Sequence, residues 1–284
     1  MSAIVDIHPH IISDDESKYP PAPMFGKRSA WSKERPSNVE NLMAAMDRAG
    51  VDKAAIVQVS TCYGFDNRYL ADSVARFPDR VTGVGSVDMV LPDAPQTIKN
   101  WLDRGLSGLR MFTGGSTKAY DTSSLDDPRS FPAWALCQEA GVPIALNIDS
   151  SGFAQTAGLA KRFPKAKIII EHLGHADTSD GAPYKKASCL FGLAPFENIY
   201  LKLTPTVVEY AQREQATPET FFPRLVEVFG SQRLAWGSDY PATKGELSEI
   251  LGRLKACIQC LSAEDQEWIL GKTALTLYPR LAKC

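Results

Sequence analysis

Two hydrophobic rhythms alternate along this chain. Short apolar runs at residues 3–7, 54–59, 81–87, 108–112, 143–148, 167–172, 199–203 and 234–239 have the length and composition of buried strands. Between them, apolar positions recur every three or four residues and predict helices over 39–49, 66–76, 93–104, 130–140, 153–163, 183–193 and 218–229, with two more over 246–261 and 263–270. Gly50, Gly105, Gly141 and Gly230 stand where helices stop, and Asp66 and Asp93 where they start. Strands alternating with helices imply parallel pairing through right-handed crossovers. Eight such units in roughly 250 residues fit the α/β class as a (β/α)8 TIM barrel. An open doubly wound sheet is the alternative. Against it, no Gly-x-Gly-x-x-Gly follows a strand, and Gly114-Gly115 lacks the spacing and the lysine of a phosphate loop. With no internal repeat or linker, residues 1–284 are expected to form a single domain with a long loop after strand 1.

That loop, residues 11–37, is rich in Pro, Ser and charge and has no periodicity. Irregular segments of this length are usually functional loops or lids. Lys27, Arg28, Trp31 and Arg35 are its expected ligand-facing groups; an ordinary solvated loop is the other reading.

In a parallel barrel, chemistry belongs at the C-terminal ends of the strands, and polar residues collect there. Strand 1 runs into Asp6-Ile7-His8-Pro9-His10, where alternation places Asp6, His8 and His10 on one face. The chain has only four histidines, and the other two lie in Glu171-His172-Leu173-Gly174-His175 after strand 6. Ser60 follows strand 2, Arg110 lies on strand 4, Asn147 on strand 5 and Lys202 on strand 7. Strand 8 leads into Gly237-Ser238-Asp239-Tyr240-Pro241. Closure of a barrel sets its last strand beside its first, so Asp239 is expected near His8 and His10. There it could bind a metal, take a proton from water, or cap the following segment. His172 should project into the barrel mouth, with His175 in a supporting or structural role. A guanidinium at Arg110 suits a substrate carboxylate or a structural ion pair with Asp6 or Asp149; Lys202 reads similarly.

Composition narrows the classes. The 284 residues are 44% hydrophobic and 23% charged, with net charge −2 and a pI near 6.1. There is no basic surplus for nucleic acid and no polybasic tract for a membrane. No apolar run approaches a transmembrane length of ~18–20 residues. Met1-Ser2-Ala3-Ile4 lacks the zones of a signal peptide, so a cytoplasmic location is expected. The six cysteines are then expected as free thiols, and Cys257-Ile258-Gln259-Cys260, on a helix with no second pair, as core-facing residues.

His8 and His10 after strand 1, His172 after strand 6 and Asp239 within Gly-Ser-Asp-Tyr-Pro together resemble the amidohydrolase superfamily. Tyr63-Gly64-Phe65-Asp66-Asn67, Phe77-Pro78-Asp79-Arg80-Val81 and Gly108-Leu109-Arg110 resemble its amidohydrolase-related branch, which includes 2-pyrone-4,6-dicarboxylate lactonase, sulfomuconolactone hydrolase and sugar-acid lactonases. Where many members have a histidine on strand 5 and a lysine or glutamate on strand 4, this chain has Asn147 and Arg110. That departure argues against a carbamylated-lysine binuclear centre. The resemblance implies a hydrolase opening a carboxylate-bearing lactone. Asp239 would serve as general base, and His8, His10 and His172 would polarise the carbonyl directly or through one divalent metal, zinc or manganese, held by His8, His10 and Asp239. Metal-free catalysis is the other course the resemblance allows. Arg110, Ser60, Lys202, Asn147, Lys27 and Arg28 would bind substrate. Non-oxidative decarboxylation and lactone isomerisation are alternative outcomes of the same residues, and a non-enzymatic binding barrel is the alternative least in keeping with them. The expected partner is a small molecule, with homo-oligomerisation left open.

Overall fold

A computed structural model describes residues 2–282. It contains one eight-stranded sheet in the order β1 to β8, every ladder parallel. The strands are β1 (Val5–Asp6), β2 (Lys53–Val57), β3 (Val81–Ser86), β4 (Leu106–Phe112), β5 (Ile144–Asn147), β6 (Ile168–Ile170), β7 (Ile199–Leu203) and β8 (Leu234–Trp236). All eight lie where the apolar runs predict, and β7 has the predicted limits. Several end early. β1 stops at Asp6, β6 at Ile170 and β8 at Trp236; after β6 the backbone enters a left-handed turn at His172.

Alternation along the strands builds two apolar layers. Ala55, Val57, Val84, Ala145, Ile169 and Ala235 belong to a buried inner cluster completed by Ala274, Leu277 and Tyr278 of the C-terminal segment. Residues of opposite parity, among them Ile56, Leu146, Ile168, Leu201 and Trp236, pack against the surrounding helices. Helices Val39–Ala49, Ala94–Asp103, Phe131–Ala140 and Pro218–Phe229 match the periodic segments closely. Short helices at Ala30–Glu34, Ser60–Tyr63, Pro205–Tyr210 and Thr273–Leu277 were not predicted. At one turn each, they are too short for a hydrophobic period to show. Among the described residues five cysteines are free, Cys257 buried and Cys260 exposed. No described helix is long and apolar enough to cross a membrane.

The barrel closes without a regular ladder between β8 and β1. Instead the Ile7 N–H donates to the Trp236 carbonyl at 3.1 Å and the His10 N–H to the Tyr240 carbonyl at 2.7 Å. The Asp6 carboxylate oxygen Oδ1 accepts from both His8 N and Ser238 N at 2.9 Å. Gly237 makes this approach sterically feasible, since a Cβ there would lie 2.5 Å from the Cβ of His8. Gly237→Ala should therefore cost about 1–3 kcal/mol by overpacking and displace His8. The measurement is paired thermal melting and turnover. A wild-type melting temperature with wild-type activity would show that the seam has slack.

Candidate active site

The residues after β1 and β8 meet at one oxygen. His8 Nε2 lies 3.5 Å and His10 Nε2 3.3 Å from Asp239 Oδ1. The two imidazoles stand edge to face with centroids 4.9 Å apart, and His172 flanks His8 at 5.1 Å. His8 and His10 are buried, while the Asp239 side chain keeps 21% exposure and so reaches the cavity. Asp239 has left-handed backbone at φ 53°. That conformation, uncommon outside glycine, turns its carboxylate from the strand direction toward the histidines.

His172 is also set by left-handed backbone rather than by a strand. Residues 172–175 all have φ between 52° and 58°, forming a left-handed turn in which positions three apart eclipse. His172 and His175 are therefore stacked, with centroids 5.5 Å apart and planes 22° from parallel. Gly174 in this turn admits the ring of Phe153, whose Cε1 would be 2.3 Å from a Cβ at that position.

Hydrogen bonding fixes part of the proton inventory. The Val57 carbonyl can only accept, so His10 Nδ1 donates to it at 2.7 Å. Neutral His10 then presents the Nε2 lone pair to the Asp239 oxygen. Two lone-pair atoms facing at 3.3 Å call for a proton or cation between them. His8 Nε2, buried without a partner, faces the same place. These three atoms are close enough to ligate one ion and fit a divalent cation. For His8 to ligate, its Nδ1 must carry the proton. Lys202 Nζ lies 2.8 Å from that nitrogen and would have to receive the hydrogen bond as a neutral amine. Burial lowers the Lys202 pKa, opposed by Glu171; as the ammonium paired with Glu171, Lys202 instead donates to Nδ1, which leaves the proton of a neutral His8 on Nε2 toward Asp239.

Beneath the histidines lies a buried ionic network. Arg110 donates through Nε at 3.0 Å and Nη2 at 2.7 Å to Glu171 Oε2. Lys202 donates to Glu171 Oε1 at 3.1 Å. Burial alone would raise the Glu171 carboxyl, but Arg110 and then Lys202 overrule it and hold it well below the usual carboxylate range. Burial, followed by the repulsion of Lys202 and the neighbouring histidines, pushes His8 well down. Burial takes His172 to about 4, although Asp239 and Glu171 oppose it. His8 and His172 thus present neutral imidazoles at neutral pH. Burial raises Asp6 to about 6, so its seam carboxylate stabilises the fold most in its protonated form and less as pH rises through that value.

A cavity of about 270 Å³ opens beside these groups, bordered by His10, Arg110, Asn147, His172, His175 and Asp239. Ser60, Trp31, Phe112 and Tyr120 complete its polar and aromatic walls. Ser60 and Asn147 therefore stand where expected, and the buried Asn147 Oδ1 has no partner. Arg110 also borders the cavity, but its ion pair is with Glu171 rather than Asp6 or Asp149. Lys202 is fully buried beneath the site and supports His8 and Glu171 instead of facing a ligand. The long loop divides in its behaviour. Trp31 stacks on His10 at 5.5 Å, and Arg35 donates to the carbonyls of Pro241 and Ala242, tying this loop to the segment after β8. Lys27 is exposed, and Arg28 pairs with Glu16 at 2.6 Å beside a different cavity. Neither reaches the site, because opposite charge and solvent draw them outward. Glu171, Tyr120 and Tyr210 were missed by the sequence reading. Glu171 was legible as a carboxylate preceding a histidine, whereas the tyrosines carry no local signal.

A closed parallel barrel with histidines after β1, a histidine after β6 and an aspartate after β8 defines an amidohydrolase-type enzyme. The chain belongs to the Amidohydrolase family, whose model matches residues 5–280. It is 25% identical over 288 residues to L-fucono-1,5-lactonase of Burkholderia ambifaria, covering 98% of this chain and 96% of that protein. It is 26% identical over 210 residues to 4-sulfomuconolactone hydrolase of Rhizobium radiobacter, covering 72% of this chain and 66% of the other. A zinc-bound amidohydrolase from Burkholderia multivorans superposes with a TM-score of 0.77 at 17% identity, over 98% of this chain and 99% of that one.

Glu171→Gln would leave Arg110 and Lys202 uncompensated at neutral pH, a loss of roughly 3 kcal/mol. Because the folded carboxyl is held below its ordinary 4.5, this stabilisation is present above that pH and lost as pH falls. The melting-temperature gap between wild type and variant should therefore be widest near pH 7 and narrow below 4.5. A gap independent of pH would refute the ionised network.

Proposed function

We propose that this enzyme hydrolyses the ester bond of a carboxylate-bearing lactone. The observation that carries the reading is the convergence of the His10 and His172 imidazoles and the partly exposed Asp239 carboxylate on a cavity of about 270 Å³. This volume lies near the small end of ligand sites and suits one ring. The lactonase and lactone hydrolase among its relatives support the reaction class.

In this mechanism Asp239 accepts a proton from the attacking water. His172 borders the cavity and opposes the charge that develops on the lactone carbonyl oxygen, while His8 and His10, after β1, would act on that oxygen through a cation, since His10 donates its Nδ1 proton to the Val57 carbonyl. The neutrality of His172 matters, since a neutral imidazole N–H can donate without carrying a buried charge. His172 has Thr204 Oγ1 at 2.8 Å on Nδ1, which orients its other nitrogen. When a divalent cation, zinc or manganese, is held by His8, His10 and Asp239, it supplies Lewis-acid polarisation and a more acidic water. The proximity of their three ligand atoms supports that choice of ligands, and a neighbour of the same fold has zinc bound. Arg110 has Nη1 still available toward a substrate carboxylate, its one hydrogen bond among the described residues being a weak one to the Gln58 carbonyl at 3.4 Å. The free cysteines are in keeping with a reducing cytoplasmic compartment.

Asp239→Asn should lower kcat by about 10²–10⁴ with little change in melting temperature. Turnover within a few-fold of wild type would remove Asp239 as the base. Elemental analysis, paired with activity before and after chelation, tests the cation: about one ion per chain and chelator-sensitive turnover are expected if it is required. Release of carbon dioxide from an unsaturated acid, without opening of any lactone, would replace the reading with decarboxylation.

A further inference from the structure

One arrangement at the cavity wall has no part in the mechanism above. Tyr120, in the loop after β4, places its hydroxyl 2.7 Å from His175 Nε2. His175 Nδ1 is in turn 2.7 Å from the hydroxyl of Tyr210, at the end of helix Pro205–Tyr210. Tyr120 and His175 both border the cavity, and Tyr210 buttresses His175 from behind.

Proton counting shows what this chain of three can do. Two phenols and one neutral imidazole carry three hydrogens between them, and two hydrogen bonds use two. Burial lowers His175 and raises Tyr120 to about 12, which keeps all three neutral. If Tyr210 donates to Nδ1 and Nε2–H donates to Tyr120, the spare hydrogen is the Tyr120 O–H, free to donate to a ligand. If the chain runs the other way, Tyr120 keeps a lone pair for a ligand hydroxyl. Either way the phenol is held in place and retains hydrogen-bonding capacity.

Its surroundings direct that capacity toward substrate. The loop is anchored: Thr113 Oγ1 donates to the Asn147 carbonyl at 2.8 Å, Asp121 N to the Thr113 carbonyl at 3.0 Å, and Gln155 to the Thr122 carbonyl at 2.8 Å. On the same wall Asn147 Oδ1 is buried without a partner. Tyr120 reaches from the loop after β4 to His175, which stacks on His172 after β6, so its hydroxyl borders the cavity it shares with Asp239 on the side of the stacked histidines. There it can meet a substituent of the ligand without taking part in proton transfer.

We propose that Tyr120, aimed by the His175–Tyr210 pair, is a specificity-determining residue that hydrogen-bonds a hydroxyl or carboxylate oxygen on the lactone ring. This rests on the lactone-hydrolase reading of the site. Tyr120 is a substrate-binding group, and His175 and Tyr210 are positioning residues that act through it.

The test compares kcat/KM for L-fucono-1,5-lactone, which bears hydroxyls, for 2-pyrone-4,6-dicarboxylate, which bears carboxylates, and for unsubstituted δ-valerolactone. Tyr120→Phe keeps the ring and removes only the hydroxyl. It should reduce selectivity for whichever substituted lactone is accepted, relative to δ-valerolactone, by about 10–100-fold, chiefly through KM. Tyr210→Phe should move selectivity in the same direction by a smaller factor. Equal losses on all lactones, or none, would overturn the proposal. If the wild type opens no lactone, the hydrolase reading fails on its own. Calorimetric binding of L-fuconate and 2-pyrone-4,6-dicarboxylate then judges Tyr120 without turnover: a Kd weakened about 10–100-fold in Tyr120→Phe upholds it, and an unchanged Kd or no wild-type binding overturns it.

Discussion

The seam between β8 and β1 depends on one carboxylate. Asp6 Oδ1 accepts the N–H groups of His8 and Ser238, so one oxygen ties together two chain segments more than two hundred residues apart. The histidines after β1 and the aspartate after β8 meet across this link, which works with the Ile7–Trp236 and His10–Tyr240 backbone hydrogen bonds. Its cost is visible in the second oxygen, Oδ2, which is buried without a partner, and in the upward pull of burial on the Asp6 carboxyl. A polar clasp in the wall of a barrel is expensive, but a regular ladder would carry His8 and Asp239 along strand directions rather than bring them face to face.

Below the histidines, Glu171 fills a similar organising role. It neutralises Arg110 and Lys202, both nearly or fully buried, and through Lys202 it reaches His8. Burial of any one of these charges alone would be prohibitive. Together they form a polar floor beneath the cavity; burial above it is what chiefly keeps His8 and His172 uncharged, and Glu171 itself opposes that at His172. The chemistry above draws on that neutrality: imidazoles facing an ester carbonyl or a cation serve best without charges of their own.

The site shows two ways of departing from regular structure. Asp239 and residues 172–175 occupy left-handed backbone, each non-glycine residue at some conformational cost. In return, the carboxylate turns inward and two histidines stack across one turn. The loops after β1 and β4 contribute in another manner, bringing Trp31 and Tyr120 to the walls by packing and hydrogen bonding. In the proposed mechanism, substrate preference belongs to these loops and proton transfer to the strand ends.

The sequence by itself determined the eight strands, because buried strands and amphipathic helices have hydrophobic periods that survive without tertiary context. It also located His8, His10, His172 and Asp239, since a parallel barrel offers only its strand ends for chemistry and the chain has so few histidines. Tertiary structure alone decided which charges border the cavity. Lys202 and Arg110 look alike as cations near strand ends, yet the position of Glu171 sinks the first into the floor and holds the second at its edge. Arg28 has the sequence setting of a ligand-facing group, but the fold pairs it with Glu16. Tyr120 and Tyr210 stayed invisible for the same reason. Electrostatic pairing and hydrogen bonding depend on distances across the barrel, and no spacing along the chain encodes those distances.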